Sequence, residues 1–155
     1  MVTRTVDMRF GAGRATLRLP PGAEVLCGPA IPAVADPYAA VRAALDAPIG
    51  TAPLREIALQ KQPRSVVITM SDITRPVPNE LLITAILERL AAAGIPDSAC
   101  TILIATGMHR PSTERERRLM LGDELLRRCR VVDHEADRMG TLVRVADDPP
   151  VSVNR

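Results

Sequence analysis

The feature that most constrains the fold is an order of segments that repeats from residue 65 onward. A short apolar run is followed by a polar loop and then by an amphipathic stretch of helical period. Short apolar runs bounded by turns are typical of parallel strands buried on both faces. Their alternation with helices predicts an α/β fold, with an open, mostly parallel, Rossmann-like sheet and flanking helices. The apolar runs are SVVITM (65–70), CTILIAT (100–106), CRVVDHE (129–135) and TLVRVAD (141–147).

Helix signals accompany these runs. Asp36 can cap a helix that has Pro37 at its first position. Thr113 and Glu116 can form a capping box for the last helix, which Gly122 is expected to interrupt. Helices are therefore predicted over 36–48, 51–60 and 79–93, and from residue 114 onward.

The first thirty residues predict hairpins. Alternating runs at 5–11, 15–20 and 23–29 are separated by Gly-Ala-Gly and Pro-Pro-Gly turns. The stretch FGAGRAT lacks the third glycine of a dinucleotide fingerprint and precedes a strand, so it predicts a hairpin turn. We expect these N-terminal β-hairpins to form an edge of the main sheet or a small appended sheet.

Composition narrows the class of partner. The chain has 155 residues, a net charge of +2, one Tyr, one Phe and no Trp. A balanced charge and the lack of aromatic stacking platforms argue against nucleic acid or a membrane surface as partner. No apolar run approaches the roughly 20 residues of a membrane span. The N-terminus does not resemble a signal peptide, so a cytoplasmic location is expected.

Two polar motifs follow apolar runs and precede helices. They are SDITRP (71–76) and TGMHRP (106–111). In open parallel sheets this position is the carboxyl edge, where ligands bind. Right-handed crossovers from neighbouring strands place both loops at the same edge. The motifs are therefore predicted to face each other across one cleft.

Each side chain of the first motif has a functional and a structural interpretation. Arg75 is held extended by the proline after it, and its planar fork suits a carboxylate or phosphate. It could equally be a surface arginine paired with Asp72. Asp72 could orient Arg75, accept a ligand hydroxyl or cap the loop. Thr74 could contact a ligand or serve as a turn hydroxyl.

The second motif carries one of only two histidines. His109 follows Gly107, whose missing side chain allows close approach, and an imidazole beside a cleft suits a general base near neutral pH. A loop histidine without function is the alternative. His134 follows the third apolar run and could also border the cleft. Phosphate-loop, H-E-x-x-H, paired-cysteine and nucleophile-elbow motifs do not occur.

The two motifs together carry a family resemblance. SDITRPVPN followed by TGMHRPSTERE resembles the N-terminal domain of the nickel-dependent lactate racemase family. FGAGRATLRLP, VVDHEADR and PPVSVNR are also similar to that family's pattern, so the resemblance covers essentially the whole chain.

The resemblance implies an activity and a cofactor. Family members racemise or epimerise 2-hydroxy acids with a nickel pincer nucleotide, a pyridinium bisthiocarboxylate mononucleotide that holds nickel. The implied mechanism is hydride transfer at C2 while a base takes the hydroxyl proton. Proton removal at C2, beside a carboxylate, would instead create a dianion. The hydride can return to either face, and the configuration is thereby scrambled.

Site residues also follow from the resemblance. His109 resembles one of the two catalytic histidines that act as general base and acid at the substrate hydroxyl. The segment Asp72, Ile73, Thr74 and Arg75 resembles the loop that touches the cofactor. Arg75, and with it Arg110, is expected to contact the substrate or another anionic group.

Departures from the family pattern limit these implications. Family enzymes attach the cofactor to a lysine, ligate nickel with a histidine and draw the second catalytic histidine from sequence beyond this segment. The sole lysine, Lys61, is not in a matching motif, so no metal ligand is predicted within the segment. The chain is expected to be a single α/β domain, 1–155, from the N-terminal part of a two-domain enzyme truncated near residue 155. Without its C-terminal domain we expect it to be inactive.

Two alternatives remain open. One is a stand-alone, non-catalytic α/β module that binds an anionic nucleotide or an organic acid. The other is a subunit that completes its site with a second polypeptide. The sequence leaves the particular 2-hydroxy acid undefined.

Overall fold

The computed structural model describes residues 4–11 and 13–154 of the chain. It divides into two compact units, Met1–Ala33 and Val34–Arg155. In the part of the chain that the structure describes, no helix combines the length and the apolar character that crossing a membrane requires.

The first unit is an antiparallel hairpin. Strands β1 (Arg4–Phe10) and β2 (Gly13–Leu19) pair along their full length, from Arg4 opposite Leu19 to Phe10 opposite Gly13. Together they form a separate two-stranded sheet, so the predicted hairpin is confirmed and has a sheet of its own. The strand predicted at 23–29 is wrong: this segment has no regular structure. Prolines on both sides of it remove backbone donors that strand pairing would need.

The second unit contains the remaining helices and strands, with short 3₁₀ turns at Asp97–Ala99 and Met139–Thr141. In chain order they are α1 (Pro37–Asp46), α2 (Leu54–Lys61), β3 (Val66–Ser71), α3 (Asn79–Ala91), β4 (Cys100–Ala105), α4 (Glu114–Arg128), β5 (Arg130–Asp133), β6 (Leu142–Asp147) and β7 (Pro150–Asn154).

Three strands form a parallel sheet in the order β3-β4-β5. Ile68 of β3 lies opposite Ile102 of β4, which lies opposite Val131 of β5. Helices α3 and α4 make the two crossovers between these strands. The predicted α/β class is therefore confirmed: a parallel sheet flanked by helices, with antiparallel hairpins added.

The core lies between one face of this sheet and the helices. Alternate strand residues such as Ile68 and Ile104 pack in one buried cluster with Leu87 of α3 and Leu121 and Leu125 of α4. Full burial of each such side chain contributes roughly 1.5–3 kcal/mol. This cluster fixes the strands under the crossover helices, and so fixes where the loops after β3 and β4 emerge.

The expectation that the strands are buried on both faces is wrong. Val67 is 59% exposed, and Leu103 and Val132 are only half-buried on the same face. The buried cluster draws its helix residues from α2, α3 and α4, all of which pack on the opposite face. Apolar runs alone therefore did not distinguish a two-sided from a one-sided sheet, because both faces of these strands carry apolar residues.

The run at 141–147 is a strand but does not join the parallel sheet. It forms β6, which pairs antiparallel with β7, Val143 lying opposite Val153. The eight residues between β5 and β6, 134–141, are too few for a parallel crossover, which needs a dozen or more.

The predicted helix signals are confirmed. The Asp36 side chain accepts a hydrogen bond from the backbone of Ala39 at 2.9 Å. Thr113 and Glu116 form the reciprocal capping box of α4. Gly122 interrupts α4 with φ 69° and ψ 162°, a conformation that side-chain-bearing residues rarely adopt.

We predict that Gly122→Ala destabilises the chain by roughly 1–3 kcal/mol, because the backbone is strained for alanine. An added Cβ would also lie 2.3 Å from Glu80 Oε1. Chemical denaturation measures the free energy of unfolding. The double variant Gly122→Ala, Glu80→Ala removes the clash and should recover part of the loss, whereas Gly140→Ala, with open space around it, should cost less than about 0.5 kcal/mol. Equal stability of all three would contradict the backbone assignment.

Candidate functional site

The two polar loops meet at the carboxyl edge of the sheet. Asp72 directly follows β3, and His109 lies four residues beyond the end of β4. His109 Nδ1 lies 2.6 Å from Asp72 Oδ2. The prediction that these loops face each other is confirmed, and the contact between them is a direct hydrogen bond.

Asp72 is a buried carboxylate with both oxygens engaged. Only 7% of the residue is exposed. Its Oδ1 accepts hydrogen bonds from the Thr74 hydroxyl at 2.6 Å and from the Thr74 backbone N–H at 3.3 Å. The bonds from Thr74 and from His109 hold the pKa of Asp72 below its usual range. Asp72 is therefore an ionised acceptor that both shapes its own loop and binds the histidine.

The protonation pattern of His109 follows from this partner. An ionised carboxylate can only accept, so the hydrogen bond requires a proton on Nδ1. The neutral ring then carries its free lone pair on Nε2, the nitrogen a general base would use. The side chain is 59% exposed and lines the adjoining cleft.

The backbone of the second loop presents His109 at the edge. Gly107 has φ +58°, and the His109 backbone N–H donates to the Thr106 carbonyl at 3.0 Å, which closes a tight turn. Thr106 is buried, and its hydroxyl donates to the backbone carbonyl of His134 beyond β5. The start of the loop is thereby tied to the neighbouring strand.

Asp133, the last residue of β5, anchors the other end of this loop. Its Oδ1 accepts from the Ser112 backbone N–H at 3.1 Å, and its Oδ2 pairs with the Arg117 guanidinium. The Asp133 side chain is almost fully buried. His109 therefore lies on a loop fixed at both ends, and this limits the positions that its ring can take.

Arg75 lies apart from this hydrogen-bonded pair. Its backbone N–H donates to the Asp72 carbonyl at 3.2 Å, and the residue is exposed. Within the described residues its guanidinium forms no ion pair with Asp72, whose oxygens are taken by Thr74 and His109. The charge of Arg75 is thus available to an external anion.

Arg110 is differently placed. Its guanidinium forms a bidentate pair with Glu116, at 2.7 and 2.8 Å, and also donates to the Pro111 carbonyl. Contact with a substrate anion would compete with Glu116 for the same fork. The expected anion contact by Arg110 stays a prediction.

A small cleft adjoins the histidine. Its volume of about 300 Å³ lies at the lower end of the range for small-molecule sites. The expected cofactor-loop residues Asp72, Ile73 and Thr74 all line it, while Arg75 is not among the lining residues described. The cleft is bounded by Asp72, Ile73, Thr74, His109, Arg110, Ser112 and Glu116.

His134 does not line this cleft. It lies in a separate groove with Leu103 and Val132, on the face of the sheet that the helices leave open. No group of three or more His, Cys, Asp or Glu side chains is placed to hold a metal ion among the residues the structure describes. Lys61 ends α2 before β3 begins, at the amino edge of the sheet. A six-residue strand separates it from the site by roughly 20 Å.

Sequence reasoning missed two contacts here. The Asp72–His109 bond joins residues 37 positions apart, and only the parallel register of β3 and β4 brings them together. The second case is Asp133, which contacts Ser112 and Arg117, although an acidic residue ending an apolar run is a recognisable signal for an anchor of a neighbouring loop.

The fold and site define an α/β protein that holds an aspartate-oriented histidine at the carboxyl edge of a parallel sheet. A sequence model of the family described as lactate racemase N-terminal domain matches residues 10–155. The chain therefore belongs to the lactate racemase N-terminal domain family.

Individual relatives agree with this assignment. The chain is 37% identical over 109 residues to a lactate racemase from Lactiplantibacillus plantarum, covering 70% of this chain and 25% of that protein. It is 35% identical over 96 residues to a lactate racemase from Thermoanaerobacterium thermosaccharolyticum, covering 62% of this chain and 22% of that protein. It is also similar to the structure of the lactate racemase apoprotein from the latter organism, with TM-score 0.72 and 25% identity.

The lengths of these proteins differ widely. The chain spans about a quarter of the curated relatives that it matches. The structural similarity covers 97% of this chain but 36% of the solved chain.

We predict that Glu116 contributes to acid stability. The bidentate bond from Arg110 and the bond from the Thr113 backbone lower the pKa of Glu116 from 4.5 to about 2. Because the pKa is lower in the folded state, the stabilisation is complete above about pH 4.5 and is lost as the pH falls toward 2. Thermal unfolding of Glu116→Gln should show a weaker pH dependence across this window. The control Glu114→Gln, at an 86% exposed side chain of the same turn, should keep the wild-type profile, and identical profiles for both variants would refute the prediction.

Proposed function

We propose that this chain is the N-terminal part of a longer 2-hydroxy-acid racemase or epimerase, in which His109 exchanges a proton with the substrate hydroxyl. The observation that carries the proposal is the 2.6 Å bond between His109 Nδ1 and the buried Asp72 carboxylate. Membership of the lactate racemase N-terminal domain family supports the reaction class.

The proton step follows from the orientation of the ring. His109 Nε2 accepts the hydroxyl proton as the C2–O bond gains double-bond character and the C2–H electron pair leaves as hydride. The imidazolium formed is stabilised by the ionised Asp72 on its opposite nitrogen. Return of the proton from Nε2 to the oxygen completes the exchange, so His109 acts in turn as base and acid.

The nickel pincer nucleotide of the family, when bound, supplies the hydride acceptor for C2. The residues of this chain near the cleft are suited to bind the anionic group of this nucleotide rather than its nickel ion. Arg75 offers an exposed guanidinium at the loop, and Ile73 offers an apolar side chain in the cleft. Family enzymes ligate nickel with a histidine and attach the cofactor to a lysine, and we propose that both residues come from outside this segment.

We further propose that residues 1–155 alone do not racemise a substrate. One histidine is oriented for proton transfer, but a racemase must act on both faces of C2. His134 lies in a different groove, so we propose that the second catalytic histidine comes from outside this segment. A C-terminal domain would complete the site, consistent with the greater length of the relatives.

In the full-length enzyme we predict that His109→Ala lowers turnover by roughly 10²- to 10⁴-fold, because general acid–base catalysis contributes about that much. The cofactor content, measured spectroscopically and by nickel analysis, should be unchanged. His134→Ala is the matched control and should retain turnover. Normal turnover by His109→Ala would remove the assignment of this residue as base.

Asp72→Asn tests the orienting role. The amide is isosteric but uncharged, so it no longer stabilises the imidazolium, and turnover should fall by about 10²-fold or more. The pH profile of kcat should also move, which a purely structural effect on the loop would not produce. An unchanged pH profile would contradict the orienting role.

Arg75→Ala tests the anion contact. Loss of the guanidinium should weaken retention of the cofactor or raise KM for the hydroxy acid by about 10-fold or more, as expected for a hydrogen bond to a charged group. Arg118→Ala, at an exposed arginine outside the cleft, is the control. Unchanged affinity for both ligands would exclude Arg75 from the site. If the complete polypeptide binds the cofactor or a hydroxy acid but does not racemise, the non-catalytic binding module replaces the enzyme.

A further inference from the structure

Helix α1 packs against α2 and α3, whereas α4 packs against α3 and β5. Crossover α3 joins β3 to β4 and α4 joins β4 to β5, so these two helices already cover the three strands. Among the described elements, no strand of the parallel sheet lies beyond β3 on the α1 side.

Two bidentate ion pairs attach α1 to α3. Arg42 of α1 forms a bidentate pair with Glu88 of α3, at 2.7 and 2.8 Å. Arg89 of α3 forms a second one with Asp46, at 2.6 Å for both bonds. These pairs hold α1 firmly beside α3, yet α1 buries none of its residues fully. An amphipathic helix in this state has apolar surface left to cover.

A groove of about 490 Å³ lies in this position. It is lined by the consecutive strand residues 66–69 together with Ala44 and Leu45 of α1 and Ile57 of α2. Successive side chains of a strand point to opposite faces, so a groove touching four in a row runs along the edge of the strand. The backbone N–H and C=O groups on the free edge of β3 therefore face this apolar groove.

The topology indicates which structural element can occupy this groove. β3, β4 and β5 are added in sequence, with both crossovers on one face. This is one half of a doubly wound sheet, whose second half begins at the free edge of the first strand and places its helices on the other face. That other face is the one that leaves Val67 59% exposed.

We propose that a further strand, from the part of the racemase polypeptide outside residues 1–155, pairs with the free edge of β3 beneath α1. The inference rests on the proposed function, because it takes its occupant from the longer enzyme. About two-thirds of the solved lactate racemase chain lies outside the region that this chain matches, enough for this strand and for helices on the open face. One end of the strand then lies beside the loop 72–75, where the missing catalytic groups would enter the site.

Hydrogen–deuterium exchange of the full-length polypeptide tests the pairing. Alternate amides of β3 point away from β4, and an open edge would let them exchange within seconds. The proposed strand predicts that all amides of Val66–Ser71 are protected, with the outward ones slowed by on the order of 100-fold or more. Fast exchange at alternate positions overturns the proposal. Protection that rises with protein concentration would identify a second copy as the occupant and would also overturn it.

Two variants of α1 test the strand pairing without relying on racemase activity. Ala44 lines the groove, whereas Ala40 lies one turn earlier on α1 and does not. In the full-length protein Ala44→Arg should lower Tm by several degrees and raise exchange in β3, and Ala40→Arg should do neither. Equal behaviour of the two variants contradicts the proposal. Racemase assays are read separately: an inactive protein with a protected β3 edge would refute the proposed function alone.

Discussion

The hydrogen bond between Asp72 and His109 is the interaction on which the candidate site depends. It joins the loops after two adjacent parallel strands, and it fixes which ring nitrogen faces the cleft. A buried carboxylate without partners would be costly, and here three hydrogen bonds compensate for its burial. The same bonds that keep Asp72 ionised therefore also orient the proposed base.

The sheet supplies the precision this pair needs. Because β3 and β4 run parallel in register, from Val66 opposite Cys100 to Ser71 opposite Ala105, their last residues lie side by side. The core beneath them is closely packed, so the strand ends cannot shift independently. Asp133 then fixes the far end of the histidine loop from β5. Three successive strands thus each contribute one element of the site.

The sequence predicted much of this arrangement. Apolar runs alternating with helical patterns were enough for the α/β class, and the position of the two motifs after strands was enough to bring their loops together. Caps at Asp36 and Thr113 were readable because their chemistry is local. What could not be read was non-local: whether the second face of the sheet is covered, and whether residues 141–147 join it. Both depend on the partner a strand finds, which its own composition does not encode.

The candidate site, too, was only partly predictable from the sequence. His109 and the loop 72–75 could be named from motifs, and the bond between Asp72 and His109 needed the register. Membership of the family is shown by the comparisons, whereas the roles of these residues remain our proposal. We also propose that the rest of a longer enzyme covers the open face of the sheet and the free edge of β3, since only one face of this sheet is covered by helices.

The tautomer of His109 is the most direct test of the central claim. Nitrogen-15 spectra of the imidazoles report which ring nitrogen carries the proton, and a His134→Gln variant assigns the two histidines. We predict that neutral His109 is protonated on Nδ1, with Nε2 unprotonated, and that Asp72→Asn shifts this pattern. Protonation on Nε2 would contradict the claim, because an ionised carboxylate has no proton with which to bond the other nitrogen.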